Sequence, residues 1–138
     1  MNYQEISKET IGHLYKSHQQ IRKSEINIRL IVLAELYVSQ MNGCAYCCSF
    51  HSNELRELGM EQSTIDKIPG WRYTNAFDNR EKLVLQWAAA ITRMEGDFEE
   101  LKIQLQASFS EKELVDLTAS ISLMNALNRL RITLGDIH

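Results

Sequence analysis

NGCAYCCSFH, at residues 42–51, is the stretch around which the chain is organised, and it holds all three cysteines and one of the four histidines. It follows an apolar run at residues 28–41. The Asn42-Gly43 pair favours a turn, because both residue types tolerate a positive φ. A new helix is therefore predicted to begin close to Cys44 and to continue without a breaker to Gly59, a residue type that commonly ends helices.

The spacing of Cys44, Cys47 and His51 places all three on one face of this predicted helix, because an α-helix has 3.6 residues per turn. The unpaired N–H groups at a helix start favour a thiolate, and Cys44 feels that effect most. His51 lies one turn beyond Cys47 and can exchange a proton with a thiol. The stretch therefore offers an attacking thiol, a second thiol that can close a disulfide, and a base.

Two other interpretations of the Cys-x-x-Cys pair stay open from the residues alone. The pair can be half of a zinc site with His51 as a third ligand, although no second Cys-x-x-Cys supplies the rest of a closed tetrahedral site. The cysteines can also be buried structural residues, which are common. Cys48 is expected to be a packed small residue rather than a third redox centre.

Length and composition indicate one globular domain over residues 1–138, with 44% hydrophobic and 24% charged residues. The net charge of −3 and the unclustered basic residues argue against a nucleic-acid partner. The sequence has no apolar run that could span a membrane, and its first residues do not resemble a signal peptide. We therefore predict a cytoplasmic protein, in which a Cys-x-x-Cys pair is more typical of catalysis than of a structural disulfide. No cofactor and no metal are predicted.

The fold is predicted to be all-α with about six to seven helices, because one proline and six glycines leave long uninterrupted stretches and no alternating strand pattern occurs. Trp71 to Phe77 is predicted to be an aromatic loop over a core edge or a subunit contact. The predicted helices are 8–21, 25–41 capped by Ser24, the helix from Cys44, a short helix capped by Ser63, 79–94 capped by Asp78, about ten residues around Leu101 and Leu105, and one from the capping box at Ser110 to about Leu134.

Glu35 stands out as a carboxylate inside the apolar run before the cysteine turn. It is either a solvated helix residue or, if the two helices form an antiparallel hairpin, a group that orients His51. His18 lies on an apolar stripe and is interpreted as a core or interface residue, whereas His13 is expected to be exposed. Three polar residues in the last helix are interpreted as structural, satisfying loop backbone or a neighbouring subunit: Asn125, Asn128 and Arg129.

Three segments, residues 39–47 with His51, residues 109–117 and residues 125–130, are similar to motifs of a known family. On these motifs the chain resembles the carboxymuconolactone decarboxylase family, and in particular its alkylhydroperoxidase D-like branch, from about residue 13 onward. The resemblance implies an all-helical fold with the Cys-x-x-Cys at the start of a helix in a helical hairpin. It also implies assembly as a homo-oligomer, either a trimer or a hexamer.

The activity that the resemblance implies is thiol-dependent reduction of a small hydroperoxide, after which a dithiol or lipoyl-type protein reduces the resulting disulfide. By position, Cys44 and Cys47 match the redox pair and His51 matches the family histidine. In the best-known peroxidases of this branch the position of Cys47 supplies the attacking thiol and that of Cys44 the resolving thiol. The helix-start argument alone favours Cys44 as the more acidic thiol, so the order of attack stays open.

Two positions depart from the family pattern. The usual glutamate twelve residues before the first cysteine is Val32 here, and the histidine that precedes the second cysteine is Tyr46. Glu35 follows Val32 by about one helical turn, so it either replaces the missing carboxylate or points elsewhere.

The predicted function is that of an antioxidant thiol peroxidase with Cys44, Cys47, His51 and Glu35 as candidate catalytic residues. The alternative is a disulfide reductase or a redox-sensing oligomer without peroxide turnover, and a zinc-stabilised binding module is a further possibility. The decarboxylases that name the family fit poorly, because their chemistry does not need a cysteine pair.

Overall fold

A computed structural model describes residues 1–137, and within that range the chain forms helices and no strand. None of these helices has the length and apolar character needed to cross a bilayer. A 3₁₀ helix covers Ile68–Tyr73. The α-helices are α1 (Tyr3–Ile6), α2 (Lys8–Ile21), α3 (Ile28–Asn42), α4 (Ala45–Glu57), α5 (Gln62–Ile65), α6 (Asn79–Arg93), α7 (Phe98–Gln106) and α8 (Glu111–Leu134).

The predicted all-α class is confirmed, and the structure adds α1 and the 3₁₀ helix to the helices expected from the sequence. Two predicted caps are wrong. α3 begins after Asn27, whose side chain accepts from the Arg29 N–H, whereas the Ser24 hydroxyl lies ahead of the helix, donates to Asp116 at 2.6 Å and accepts the Ile26 N–H at 3.4 Å. α5 begins at Gln62, so Ser63 lies inside that helix and caps nothing.

α3 is the central element of the fold. All ten residues from 30 to 39 are buried, and the helix packs against α4, α6 and α8. A helix that is apolar on every side has to be covered on every side, which explains why the apolar run 28–41 shows no polar face. Glu35 and Ser39 are the polar residues within this buried segment.

The predicted turn between α3 and α4 is confirmed at Gly43, which adopts a left-handed conformation with φ of 74°. Its N–H donates to the Gln40 carbonyl, and the Cys44 N–H donates to the Ser39 carbonyl at 3.0 Å. These bonds satisfy the carbonyls at the end of α3 and reverse the chain within two residues. Cys44 then serves as the cap of α4.

Replacing Gly43 by alanine should destabilise the protein by about 1 kcal/mol, because a Cβ atom is disfavoured in the left-handed conformation. No heavy atom lies within 4 Å of a Cβ built there, so the cost comes from the backbone alone. Gly12, inside α2, also has open space around it but needs no positive φ. Gly12→Ala should therefore stabilise by about 0.5–1 kcal/mol. Urea unfolding of both variants measures these effects. A change in unfolding free energy in the same direction for both variants would contradict the argument.

Two asparagines of α8 form hydrogen bonds with this turn. The Asn42 side-chain amide donates to the side-chain oxygens of Asn125 and Asn128, at 2.9 and 3.1 Å. Asn128 also donates to the Ser39 hydroxyl. These partners are side chains of the same chain rather than the loop backbone or neighbouring subunit expected from the sequence, and Arg129 is an exposed residue of the same helix.

Residues 71–77 cover the core of their own chain. Trp71 and Phe77 are buried, and the Trp71 indole N–H donates to the Tyr37 hydroxyl at 3.2 Å. The predicted core edge is therefore confirmed for Trp71 and Phe77, whereas Tyr73 is 93% exposed, and residues 71–73 belong to the 3₁₀ helix rather than to the predicted loop. Trp71 itself does not present a surface for a second subunit.

Candidate redox site

Cys44 and Cys47 are joined by a disulfide at the first turn of α4. Cys44 is the residue before the helix, and its sulfur accepts the Cys47 N–H at 3.4 Å, in the place where a Ser or Asp cap usually accepts. The sequence therefore placed Cys44 correctly at the helix start. Cys48 is a free, half-buried cysteine, and burial raises the pKa of its thiol.

The two cysteines of the disulfide border different cavities. Cys47 lines a cavity of about 350 Å³ together with His51 and His18, whereas Cys44 borders a smaller groove of about 170 Å³ beside the end of α8. Both residues are largely covered, with 2% of Cys44 and 7% of Cys47 exposed. The rest of the cavity wall is mostly aromatic and aliphatic, and includes Tyr15, Tyr46, Phe50, Met124 and Leu127.

Glu35 is completely buried next to this site, so it is not the solvated helix residue that the sequence also allowed. Arg22, which follows the end of α2, donates to Glu35 Oε2 at 2.5 Å. The Ser120 hydroxyl donates to Glu35 Oε1 at 3.1 Å. His51 Nδ1 lies 3.4 Å from Glu35 Oε2, so the hairpin does bring this carboxylate to the histidine. The buried charge is matched by a guanidinium, as burial of a carboxylate requires.

Glu54 is a second carboxylate of the site, and the sequence analysis missed it. Its Oε1 lies 2.8 Å from His51 Nδ1, closer than the Glu35 carboxylate. Arg22 donates to both oxygens of Glu54, at 2.8 and 3.0 Å. Arg22 therefore bridges Glu35 of α3 and Glu54 of α4 through one planar guanidinium.

The charges of this cluster shift two pKa values. Burial by itself raises the pKa of Glu54, but hydrogen bonds from His51 and Arg22 outweigh it and lower the pKa from 4.5 to about 2. Burial also opposes the charge on Arg22, but its hydrogen bonds and charge interactions with Glu54 and Glu35 raise the pKa of the guanidinium above its usual value. Both groups are therefore charged across the physiological pH range.

Protonation of Glu54 should weaken the fold in acid. A carboxyl with a depressed folded-state pKa stabilises the protein above about pH 4.5, and this stabilisation is lost as the pH falls towards 2. Between pH 7 and pH 3 the native protein loses the part of its unfolding free energy that the ionised Glu54 supplies. The Glu54→Gln variant should therefore lose about 1–2 kcal/mol less unfolding free energy over the same range, after allowance for the partial exposure of Glu54. Urea unfolding at the two pH values measures the difference. Exposed Glu57→Gln on the same helix is the control, and identical behaviour of both variants would refute the assignment.

His18 lines the cavity, although the sequence placed it in a core or an interface. Its Nδ1 lies 3.6 Å from Glu35 Oε1. Burial is the largest influence on its pKa and lowers it, although the neighbouring Glu35 charge acts in the opposite direction. His18 is therefore a largely neutral polar group in the cavity wall. His13 is exposed, as predicted.

Among residues 1–137, Glu35, His51 and Glu54 bring three possible metal-ligand atoms within 4.8 Å of one another. Arg22 already bonds to both carboxylates and supplies the positive charge that a metal ion would bring. Neither cysteine sulfur belongs to this group. The donor set therefore matches a salt-bridge cluster better than the zinc site considered from the sequence.

The sequence model of one protein family matches residues 13–90, which is more than half of the chain. The chain belongs to the carboxymuconolactone decarboxylase family. It is similar to two curated relatives. An uncharacterized protein of Bacillus subtilis, YdfG, is 28% identical over 138 residues, covering 99% of this chain and 94% of the relative. Another uncharacterized protein, YnjA of Escherichia coli, is 30% identical over 100 residues, covering 71% of this chain and 53% of the relative.

Solved structures place this family member among AhpD-like folds. A protein of unknown function from Agrobacterium tumefaciens, for which a role as the antioxidant defence protein AhpD has been suggested, is 28% identical with a TM-score of 0.93 over 100% of this chain and 96% of that one. The alkylhydroperoxidase AhpD core of a peroxidase-related protein from Ralstonia eutropha has a TM-score of 0.81 at 15% identity, over 95% and 71% of the two chains. That second likeness concerns the fold alone.

The departures from the family pattern have a structural counterpart. Val32 is fully buried in the core of this family member, so the usual position of the glutamate holds an apolar residue. Glu35, one turn later on α3, is the carboxylate next to His51. Tyr46 replaces the family histidine before the second cysteine and lines the cavity.

Arg22 and Glu54 were missed for different reasons. Glu54 follows His51 by three residues on the same helix, and that spacing is a usable signal of a side-chain pair. Arg22 lies just beyond the end of α2, and only the packing of α2 against the rest of the chain brings it to Glu35 and Glu54.

Proposed function

We propose that this protein is a thiol peroxidase of the alkylhydroperoxidase type, in which Cys47 attacks the hydroperoxide and Cys44 resolves the intermediate. The observation that supports this order is the position of the two cysteines: Cys47 lines the larger cavity, and Cys44 does not. The helix-start argument, which favours Cys44, concerns acidity, whereas the peroxide needs access to the attacking sulfur. The mostly apolar wall suits an organic hydroperoxide.

In the first step the Cys47 thiolate attacks one oxygen of the peroxide. An S–O bond forms, the O–O bond breaks, and the alkoxide takes a proton and leaves as an alcohol, so that Cys47 becomes a sulfenic acid. The Cys44 thiolate then attacks the Cys47 sulfur. The S–S bond forms while the S–O bond breaks, and the hydroxide takes a proton and leaves as water. An external dithiol reduces the disulfide and is itself oxidised to a disulfide.

His51 is assigned the proton transfers. Its Nδ1 is held by Glu54 and faces Glu35, while the ring itself forms part of the cavity wall beside Cys47. A carboxylate on one ring nitrogen fixes the orientation of an imidazole and leaves the other nitrogen, Nε2, to exchange protons. Glu35 and Glu54 therefore act through His51, as positioning residues.

The proposed cycle predicts that one equivalent of an organic hydroperoxide consumes two thiols per chain. The reduced protein is mixed with cumene hydroperoxide in a single turnover, and free thiols are counted before and after. Loss of two thiols and their recovery with a dithiol such as dihydrolipoamide support the proposal. Thiols that stay reduced at excess peroxide would overturn it. In that case a disulfide exchange assay with the same dithiol tests the alternative, a disulfide reductase.

A further inference from the structure

Arg131 is the one strongly basic side chain among the residues that line the Cys47 cavity, and the proposed peroxidase chemistry does not use it. It lies on α8, near the helix end, and is half-buried. Its guanidinium carbon lies 4.0 Å from the centroid of the Tyr46 ring, so a cation–π contact holds it at the wall. The cavity is therefore apolar over most of its wall and cationic at one place.

The charge of Arg131 has no carboxylate partner in the part of the chain that the structure describes. The cations in the ion pairs of residues 1–137 are Arg22, His18, His51, two lysines and the amino terminus, which pairs with Asp136. Arg22, the other arginine close to the site, is already engaged with two carboxylates. A guanidinium at a cavity wall with unused N–H donors is a ready partner for a carboxylate.

We propose that the preferred substrates are organic hydroperoxides that carry a carboxylate, with Arg131 as the specificity-determining residue. This inference rests on the proposed function. The apolar wall formed by Tyr15, Phe50, Met124 and Leu127 takes the hydrocarbon part, Arg131 binds the carboxylate, and the peroxide group lies at Cys47. A hydroperoxide with a hydrocarbon chain and a carboxylate can contact the apolar wall and also bind Arg131. A neutral hydroperoxide can contact only the wall and leaves the Arg131 charge without a partner.

The test compares linoleic acid hydroperoxide with its methyl ester, which differ in a single charge. Both are used below their micelle concentrations as oxidants of the reduced protein, and the rate constant of thiol oxidation is measured for each. The native protein should favour the acid over the ester by about tenfold, the effect of one charge-assisted hydrogen bond. The preference should fall to about 1 in Arg131→Gln and should weaken as the salt concentration rises.

Arg129→Gln is the matched control, because Arg129 is an exposed arginine on the same helix and does not line the cavity. It removes the same net charge and should keep the acid-to-ester preference. A native protein that oxidises equally fast with acid and ester overturns the inference while leaving the proposed function standing. A native protein that reacts with neither compound, nor with cumene hydroperoxide, overturns the proposed function itself. If Arg131→Gln and Arg129→Gln lose the acid-to-ester preference equally, the preference comes from the net charge of the protein, and a specific carboxylate site at Arg131 is refuted.

Discussion

Replacing Cys47 by serine should abolish peroxide reduction, lowering the rate constant for reaction with an organic hydroperoxide by a factor on the order of 1,000 or more. A serine hydroxyl is not ionised at neutral pH and cannot replace a thiolate as the attacking group. Cys44→Ser should behave differently, because the sulfur that lines the cavity is still present. That variant should consume peroxide once, and its Cys47 should remain as a sulfenic acid that dimedone labels.

Cys48→Ser is the matched control for this pair. Cys48 is the third cysteine of the stretch, half-buried and outside the disulfide, and burial raises the pKa of its thiol. The variant should keep both single-turnover oxidation and recycling. Trapping of a sulfenic acid in Cys47→Ser, and not in Cys44→Ser, would reverse the proposed order and make the acidity at the helix start the deciding factor.

The Arg22→Met variant should lose about 3–5 kcal/mol of stability, the usual cost of removing one partner of a buried ion pair. Glu35 has no exposed surface, and Arg22 has 17% of its side chain exposed and bonds to Glu35 at 2.5 Å. Methionine keeps much of the length of the side chain and removes its charge, so the buried carboxylate loses its counter-ion. Urea unfolding at pH 7 measures the loss.

Two further variants separate the charge effect from the packing effect. Arg22→Met with Glu35→Gln should recover part of the lost stability, because the fully buried carboxylate is gone and only the half-buried Glu54 still lacks its guanidinium partner. Exposed Arg129→Met should change stability by less than about 0.5 kcal/mol. A loss below about 1 kcal/mol in Arg22→Met would show that Ser120 and the two histidines are sufficient to hold the Glu35 carboxylate.

The parts of the fold that follow local rules could be predicted from the sequence. The Asn-Gly turn, the cap at Asp78 and the capping box at Ser110 depend on neighbouring residues only, and the structure has all three; at Asp78 it adds the return bond to Glu81 that completes a second capping box. The predicted cap at Ser24 is wrong because the helix starts three residues later, where the Asn27 side chain accepts the Arg29 N–H. Both Ser24 and Asn27 are suitable cap residues, so the local rule alone did not choose between them.

In the candidate site, too, some residues could be grouped from local spacing and others only from tertiary contacts. Cys47 and His51 line one cavity, as their helical spacing predicted, whereas Cys44 precedes α4 and borders a different groove, so the predicted common face holds for two of the three residues. The position of Glu35 depended on the geometry of the α3–α4 hairpin, and two outcomes were open until that geometry was known. Arg22 bridges Glu35 and Glu54 only because the end of α2 packs against α3 and α4. This tertiary contact produces no periodic pattern in the sequence, so it could not be predicted.

The disulfide closes a ring of only four residues, because its cysteines are three positions apart. A cross-link restricts the unfolded chain in proportion to the logarithm of the loop that it closes, and for four residues this entropic stabilisation is about 2 kcal/mol, against about 3 kcal/mol for a loop of fifteen. The burial of α3 does not depend on that bond. In the proposed cycle, reduction of this bond takes up two electrons and two protons to give two thiols, and closing the bond gives them up again, so each turnover changes the chain entropy of only this short ring.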